Sequence, residues 1–388
     1  MSKTLNELWK KLKVYKEKEL HQIGSNGPPK NQNQIDHTRA ALAMCENIDW
    51  NVGRIINQLK NSGVLENTIV IYLSDNGPNG NRWNGLMKGR KGSTDEGGVR
   101  SPMIINWPGK IPQGKIVKEI ASGIDLLPTL KDLTGITSQA KKPLDGISLG
   151  PLIMQENPIW EDRYIYNYWK GKLSLRNQHY RLDHQGQLFD MVNDPNQTKD
   201  IGEKKPQVLT ALNKAKEQWE QEVLVELPKK DNRPFYIGHP SLHTTQFPAR
   251  DGIPSGEIKR SNRYPNCAYF THWINPEDTI TWEAEVAQDG DFEITVYYSC
   301  AEDAIGSLFE VSFGDASIQG EIKEVHNPNE YGAAEDRVLR QESYVKDFKP
   351  LKIGTLKLKK GKGTLKIKGI EKKGRALMDF RLMLLKRI

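Results

Sequence analysis

Between residues 36 and 61 the apolar side chains Met44, Ile48, Val52, Ile55, Ile56 and Leu59 recur every three or four positions, and they fall on one face of a helix. Asp36 reads as its N-cap and Gly63 as the stop beyond Asn61. The spacing changes at Thr68–Leu73, a short apolar run that predicts a strand. A second short run in "MIINWPG" and a helical stretch in "DLLPTLKDLTGI" follow. Helix, strand, loop, strand and helix are the rhythm of an α/β layer protein, in which ligands collect beyond the carboxyl ends of strands. Asp75 stands at that place after Leu73.

From Arg163 onward the pattern shortens. "RYIYNYW" and "HYRLDHQGQLFDM" read as strands before a turn at Asn193-Asp194-Pro195. Pro206 to Val223 reads as a helix with Val208, Leu212, Ala215 and Trp219 on one side. The polar stretch "PKKDNRP" reads as a linker, which gives a first domain of residues 1–227, a linker of 228–234 and a second domain of 235–388. In the second domain "DTITWEAEV", "GDFEITVYYSC", "SLFEVSFG", "SIQGEIKEV" and "ALMDFRLMLLK" alternate apolar and polar residues between Gly, Asp and Asn turns. That spacing predicts an all-β, jelly-roll-like sandwich. "IGTLKLKKGKGTLKIKGI" predicts a hairpin turning at Gly361-Lys362-Gly363, with Leu356, Leu358, Leu365 and Ile367 inward and its lysines on a wet face guarding a sheet edge.

Composition changes this picture little. The chain has 388 residues, 37% hydrophobic and 27% charged, within the range of soluble globular proteins. The net charge of +7 is uneven: Leu351–Ile388 holds thirteen Lys/Arg against two Asp/Glu, so the remainder is slightly acidic. Confined to one strand-like segment, the basic excess argues against a nucleic-acid footprint and leaves a polyanionic polysaccharide as a partner on electrostatic grounds. Cys45, Cys267 and Cys300 have no metal-ligand spacing; a Cys267–Cys300 bridge and two free thiols are both compatible with the sequence. The opening "MSKTLNELWKKLKVYKEKEL" has no apolar h-region and does not read as a secretory signal, and no window reaches the length of a membrane span.

The candidate chemistry lies in "IVIYLSDNGPNGNRWNGLMKGRKGSTDEGGVRSP", Ile69 to Pro102. Asp75 and Asn76 each offer a hard oxygen suited to a cation such as Ca²⁺. Lys88, Arg90 and Lys91 follow among glycines 85, 89 and 92, which let the backbone turn tightly, and Glu96-Gly97-Gly98 permits left-handed backbone angles. A cation beside a lysine would hold a tetrahedral oxyanion and neutralise charge on a departing oxygen. Taken singly, each of these residues is equally a turn or a wet basic loop.

Together, "YLSDNGPNG", "KGRKGSTDEGGVRSPMIINWPG" and "GIDLLPTLKDLTGI" resemble the sulfatase family of the alkaline phosphatase superfamily, across roughly Asp36 to Val223. The resemblance implies the C-terminal half of the catalytic domain, an incomplete α/β fold of the alkaline phosphatase type. It implies Asp75 and Asn76 as Ca²⁺ ligands and Lys91 as the lysine contacting the sulfate ester, while Glu96 and Arg100 support the loop and His37 is a surface residue near the helix start. The implied substrates are sulfated carbohydrate or aryl sulfate esters, and the implied compartment of a complete member is periplasmic or secreted. The family's nucleophile, a formylglycine made within Cys/Ser-x-Pro-x-Arg, has no such motif here: Cys45, Cys267 and Cys300 all lack Pro two residues later. The family's early Asp-Asp pair is also absent. The expectation is therefore a truncated, inactive chain with weak or no Ca²⁺ binding, whose strand and helix expose apolar area for a separate chain to cover.

Two other readings accompany this one. The second domain resembles galactose-binding-like jelly rolls, making the chain a carbohydrate-binding module protein without catalysis. Its Tyr264, Tyr269, Trp273 and Tyr298 then either stack on sugars or fill the core. A lysine-and-cation site also suits phosphate esters, so a phosphate-ester hydrolase of the same superfamily is the third.

Overall fold

The computed structural model of the chain describes residues 31–80, 82–137, 142–228, 231–334, 342 and 344–388. The charged opening segment and Lys229-Lys230 of the expected linker lie outside the described residues. Packing divides the chain into two compact units, Met1–Leu227 and Pro228–Ile388.

In the first unit helix α1 spans Gln32–Asn61. It starts before Asp36 because Asn31 is an equally good cap: its side chain accepts from the Gln34 amide at 3.0 Å. Asp36 instead accepts from Gln32 Nε2 one turn inside the helix, and His37 is exposed. Gly63 stops the helix at φ +68°. Strand β1, Val70–Leu73, pairs antiparallel with β2, Met103–Asn106. Between them lies the one-turn helix α2, Glu96–Val99. Helices α3, Leu126–Thr134, and α4, Gly150–Met154, follow.

The α/β layer is thus narrow: among the described residues its sheet is a two-stranded antiparallel ladder. One side is covered, where Met103 and Ile105 pack on Leu149, Leu152 and Ile153. The other is open, with Ile104 61% exposed, and Met44 and Ile55 of α1 are similarly bare at 55% and 58%. The exposed apolar area expected from the sequence is present.

A four-stranded antiparallel meander follows: β3 (Ile165–Trp169), β4 (Lys172–Arg176), β5 (Tyr180–Leu182) and β6 (Leu188–Asp190). Helix α5, Pro206–Val223, has the bounds its periodicity predicts, with Pro206 in its first turn. Leu212 of α5 packs with Leu175, Leu182 and Leu188, and Trp219 stacks on Tyr166 with centroids 5.2 Å apart.

The second unit is a sandwich of two sheets. Its strands are β7 (Phe235–Ile237), β8 (Thr244–Pro248), β9 (Ile253–Pro254), β10 (Lys259–Arg260), β11 (Phe270–Thr271), β12 (Thr279–Val286), β13 (Gly290–Ser299), β14 (Leu308–Phe313), β15 (Ala316–Glu321), β16 (Lys349–Leu358), β17 (Gly361–Glu371) and β18 (Asp379–Arg387). One sheet runs β10-β11-β18-β13-β16 with β8 beside β18; the other runs β15-β14-β17-β12-β7 with β9 beside β12.

The expected hairpin at Gly361-Lys362-Gly363 does not form. β16 pairs with β13, whereas β17 lies between β12 and β14 in the opposite sheet. Leu356, Leu358, Leu365 and Ile367 are buried as predicted, because period-two alternation is satisfied equally by two strands facing each other across a sandwich. Nor do the β17 lysines guard an edge, since that strand is interior; they face glutamates on adjacent elements, with Lys362 3.8 Å from Glu285 and Lys368 2.7 Å from Glu277.

Trp273, Tyr298 and Tyr269 belong to the buried residues, while Tyr264 lies partly exposed under the Arg263 guanidinium. The three cysteines are free thiols. Among the described residues no helix is long and apolar enough to cross a membrane.

Phe309 is fully buried, with its ring edge against Gly320. Phe309→Ala is expected to lower the stability of the second unit by about 3–5 kcal/mol, measured by urea unfolding with tryptophan fluorescence as the probe; an unchanged midpoint would show that this face is not core.

Candidate active site

The loop that leaves β1 and the loop that ends in α2 are stitched together by main-chain hydrogen bonds. Gly77 N donates to Gly98 O at 2.9 Å, Gly97 N to Lys88 O at 2.8 Å, and Lys91 N to Pro78 O at 3.1 Å. The approach is so close that a Cβ on Gly77 would lie 1.8 Å from Gly97 O, and one on Gly97 would lie 2.5 Å from Gly89 O. Gly85, Gly89 and Gly92 do take positive φ, at +74°, +89° and +87°. Gly97 and Gly98 do not: they sit in the turn of α2, and their lack of a side chain serves backbone contact, not the left-handed angles that glycine permits.

Beneath the loop lies a buried ion cluster. The Glu96 carboxylate, in a residue only 1% exposed, accepts from Arg176 Nη1 at 2.6 Å and Arg181 Nη2 at 2.7 Å, and Arg100 Nη1 lies 3.5 Å away. Arg181 also donates to Thr94 O, and Gln197 Oε1 accepts from the Glu96 amide. Burial pushes the Glu96 carboxyl up, but the guanidiniums of Arg181 and Arg176 outweigh it and hold the group below its ordinary value. Glu96 is therefore a fastening between α2 and strands β4 and β5. Arg100 reaches the same carboxylate from the exposed side.

The three cations of the loop have different fates. Lys88 is committed: its ammonium donates to Asp183 at 3.1 Å, lies 3.7 Å from Asp95 and sits over the Phe189 ring. Arg90 and Lys91 are exposed. Lys91 and Asp75 line one cleft of about 2200 Å³ within the first unit, together with Asn76, and the side chains of Lys91 and Asp75 have no hydrogen-bond or ion-pair partner among the described residues. Asn76 Nδ2 donates to Gly77 O at 2.8 Å, which leaves its Oδ1 available.

Ca²⁺ takes six to eight oxygen ligands. Among the described residues no group of three or more His, Cys, Asp or Glu side chains is gathered, so Asp75 and Asn76 fall short of a complete shell. Sequence reasoning named Asp75, Asn76 and Lys91, all of which line this cleft, but missed Arg176, Arg181 and Gln197. An arginine in each of the short neighbouring strands "KLSLR" and "YRL" was the available signal for a buried acid.

Residues 15–136 match the family model described as Sulfatase, and residues 91–223 match the one described as N-sulphoglucosamine sulphohydrolase, C-terminal. The chain is 42% identical over 112 residues to arylsulfatase A of Homo sapiens, covering 28% of this chain and 22% of that protein. It is 29% identical over 254 residues to a sulfatase of Formosa agariphila, covering 56% and 44%. A solved putative sulfatase of Bacteroides fragilis is 22% identical with a TM-score of 0.45, covering 55% of this chain and 50% of that one. The chain thus spans less than half the length of these curated relatives.

Glu96→Gln is expected to cost about 3–5 kcal/mol at neutral pH by leaving Arg181 buried and unpaired. The sign with pH follows from the lowered carboxyl: its contribution is complete above its ordinary value of 4.5 and is lost as pH falls through the lower folded value. Urea unfolding between pH 7 and 3 should show an acid-side loss in the wild-type protein that the glutamine variant lacks. Independently, Gly77→Ala should part the two loops, seen as faster hydrogen exchange at the Lys91 amide.

Proposed function

Because residues 15–136 and 91–223 match sulfatase family models, we propose that the first unit carries the lysine side of a sulfuric ester hydrolase site. In this reading Lys91 holds the sulfate and steadies the departing oxygen, and Asp75 and Asn76 contribute part of a cation shell completed by groups outside the described residues. A Ca²⁺ ion bound there would supply positive charge toward the ester oxygens. The observation that carries the reading is the unpaired ammonium of Lys91 on the same cleft as the unpaired carboxylate of Asp75, joined through the Lys91–Pro78 main-chain bond. Lys88 and Glu96 of this loop are paired, so charges left without a partner on the cleft, Lys91 and Asp75 among them, are suited to a charged ligand.

The substrate class we propose is sulfated carbohydrate. The relatives include N-acetylgalactosamine-6-sulfatase of Rattus norvegicus, 37% identical over 130 residues. The 388 residues contain no Cys/Ser-x-Pro-x-Arg, so the nucleophile in this reading comes from outside them.

The chain alone is expected to turn over neither 4-methylumbelliferyl sulfate nor the phosphate ester, and to bind Ca²⁺ with a Kd of about 10⁻³ M or weaker by calorimetry. Combined with a formylglycine-bearing sulfatase N-terminal segment, it should hydrolyse the sulfate ester in preference to the phosphate. Lys91→Ala in that pairing should lower kcat by about 10²–10³; full activity in the variant would refute the role given to Lys91.

A further inference from the structure

We infer that Trp169 and Lys170, at the tip of the β3–β4 hairpin, form a subsite for a second sugar of a multiply sulfated oligosaccharide, beside the sulfate held at Lys91. The inference rests on the reading of Lys91 given above and adds residues to it.

Alternation along β3 separates two aromatic sets. Tyr166 and Tyr168 turn to α5, with ring centroids 5.2 and 6.4 Å from Trp219. Trp169, of opposite alternation to Tyr168 along the strand, lines the cleft that also holds Lys91 and that Tyr166 and Tyr168 border as well. Its indole is 51% exposed and makes no hydrogen bond, and its one ring contact among the described residues is the Lys170 ammonium, 5.5 Å from the ring centre. An indole usually contributes to stability by burial, and this one fills no core. Its Nε1 is 3.9 Å from the place a Cβ would occupy on Gly92, the residue after Lys91. The platform therefore lies directly beside the proposed sulfate site.

The turn itself has an unusual occupant. Lys170 and Gly171 have φ of +47° and +81°, a two-residue turn whose first position favours Asn, Asp or Gly. Lysine there is unfavourable for the backbone, and what it adds is an ammonium over an open indole. A flat apolar face suits the C–H face of a pyranose, and an adjacent ammonium suits an anionic substituent on it. With Lys91 taking one sulfate and Lys170 another, the ligand is an oligosaccharide with sulfates on more than one position.

The test is calorimetric titration of the full chain with a heparin-derived hexasaccharide, with maltohexaose and inorganic sulfate as controls. Trp169→Ala is expected to weaken hexasaccharide binding about tenfold and Trp169→Phe less, with neither changing the response to inorganic sulfate. Lys170→Gly, which relieves the backbone and so keeps the fold, should weaken it about threefold and lower its salt dependence. The inference is overturned if the wild-type chain does not bind the hexasaccharide, if it binds maltohexaose equally well, or if both the Trp169→Ala and Lys170→Gly variants bind as the wild type does. A Lys91→Ala variant separates the two readings. Weakening there with Trp169→Ala unaffected removes the subsite and leaves the Lys91 assignment standing; the reverse pattern supports the subsite and removes that assignment.

Discussion

A carboxylate buried between two guanidiniums holds the first unit's cleft in shape. Taking Glu96 and Arg181 out of water costs several kcal/mol per ion, and the cost is recovered only where geometry and hydrogen bonding are complete. Here they are nearly so: Arg176 and Arg181 each engage one carboxylate oxygen, Arg181 donates further to Thr94 O and Ser174 Oγ, and Gln197 accepts from the Glu96 amide. The cluster joins residues 94–96 to strands β4 and β5 and to the turn at Gln197. No single-loop interaction would achieve that, because the partners come from segments more than seventy residues apart in the chain.

Position follows from this anchor. With Glu96 fixed, α2 is fixed, and the hydrogen bonds from Gly97 to Lys88 and from Gly77 to Gly98 carry its placement to both neighbouring loops. The glycines act by closeness: there is no room for a methyl group between Gly77 and Gly97 O. Lys88 is drawn down to Asp183, so the loop's next lysine, Lys91, is left at the surface with its amide tied to Pro78. Strand β4, which supplies Arg176 to Glu96, is also one arm of the β3–β4 hairpin whose tip presents Trp169. One buried ion cluster therefore holds both the loop of Lys91 and the strand that leads to Trp169.

Much of this was legible residue by residue, and the failures have a common cause. Helix α5 was readable to its ends because its apolar period and its leading proline are local properties. The inward set Leu356, Leu358, Leu365 and Ile367 was readable for the same reason. The sheet each strand joins was not, since alternation reports which side of a strand is buried and is silent on its neighbour. α1 began earlier than expected because Asn31 and Asp36 are chemically equivalent caps and only packing chooses between them. For Gly97-Gly98 the residue type was read correctly as a backbone requirement, but glycine answers two different needs, φ and proximity, and sequence does not distinguish them. Arg176 and Arg181 hint at a buried acid, but which acid they meet is not legible because the pairing with Glu96 is long-range.

Charge count and charge availability also diverge in this chain. The most basic segment, Leu351–Ile388, spreads its lysines along a sandwich where several meet acids on adjacent elements: Lys352 with Glu293, Lys362 with Glu285, Lys368 with Glu277, Lys373 with Glu371. Such exposed pairs contribute little stability each, at most about 1 kcal/mol, yet they dilute the field that an anion would feel. In the first unit the balance is reversed. Lys88, Arg176 and Arg181 are neutralised in the buried layer, and Lys91 and Lys170 at the cleft meet no carboxylate among the described residues. A positive charge without a nearby counter-charge, held by a rigid base and next to an open indole, attracts an anion more strongly than a larger number of paired lysines does. For that reason the proposed anion-binding face is the cleft beside Gly92, although the net charge of the sequence points to the other end.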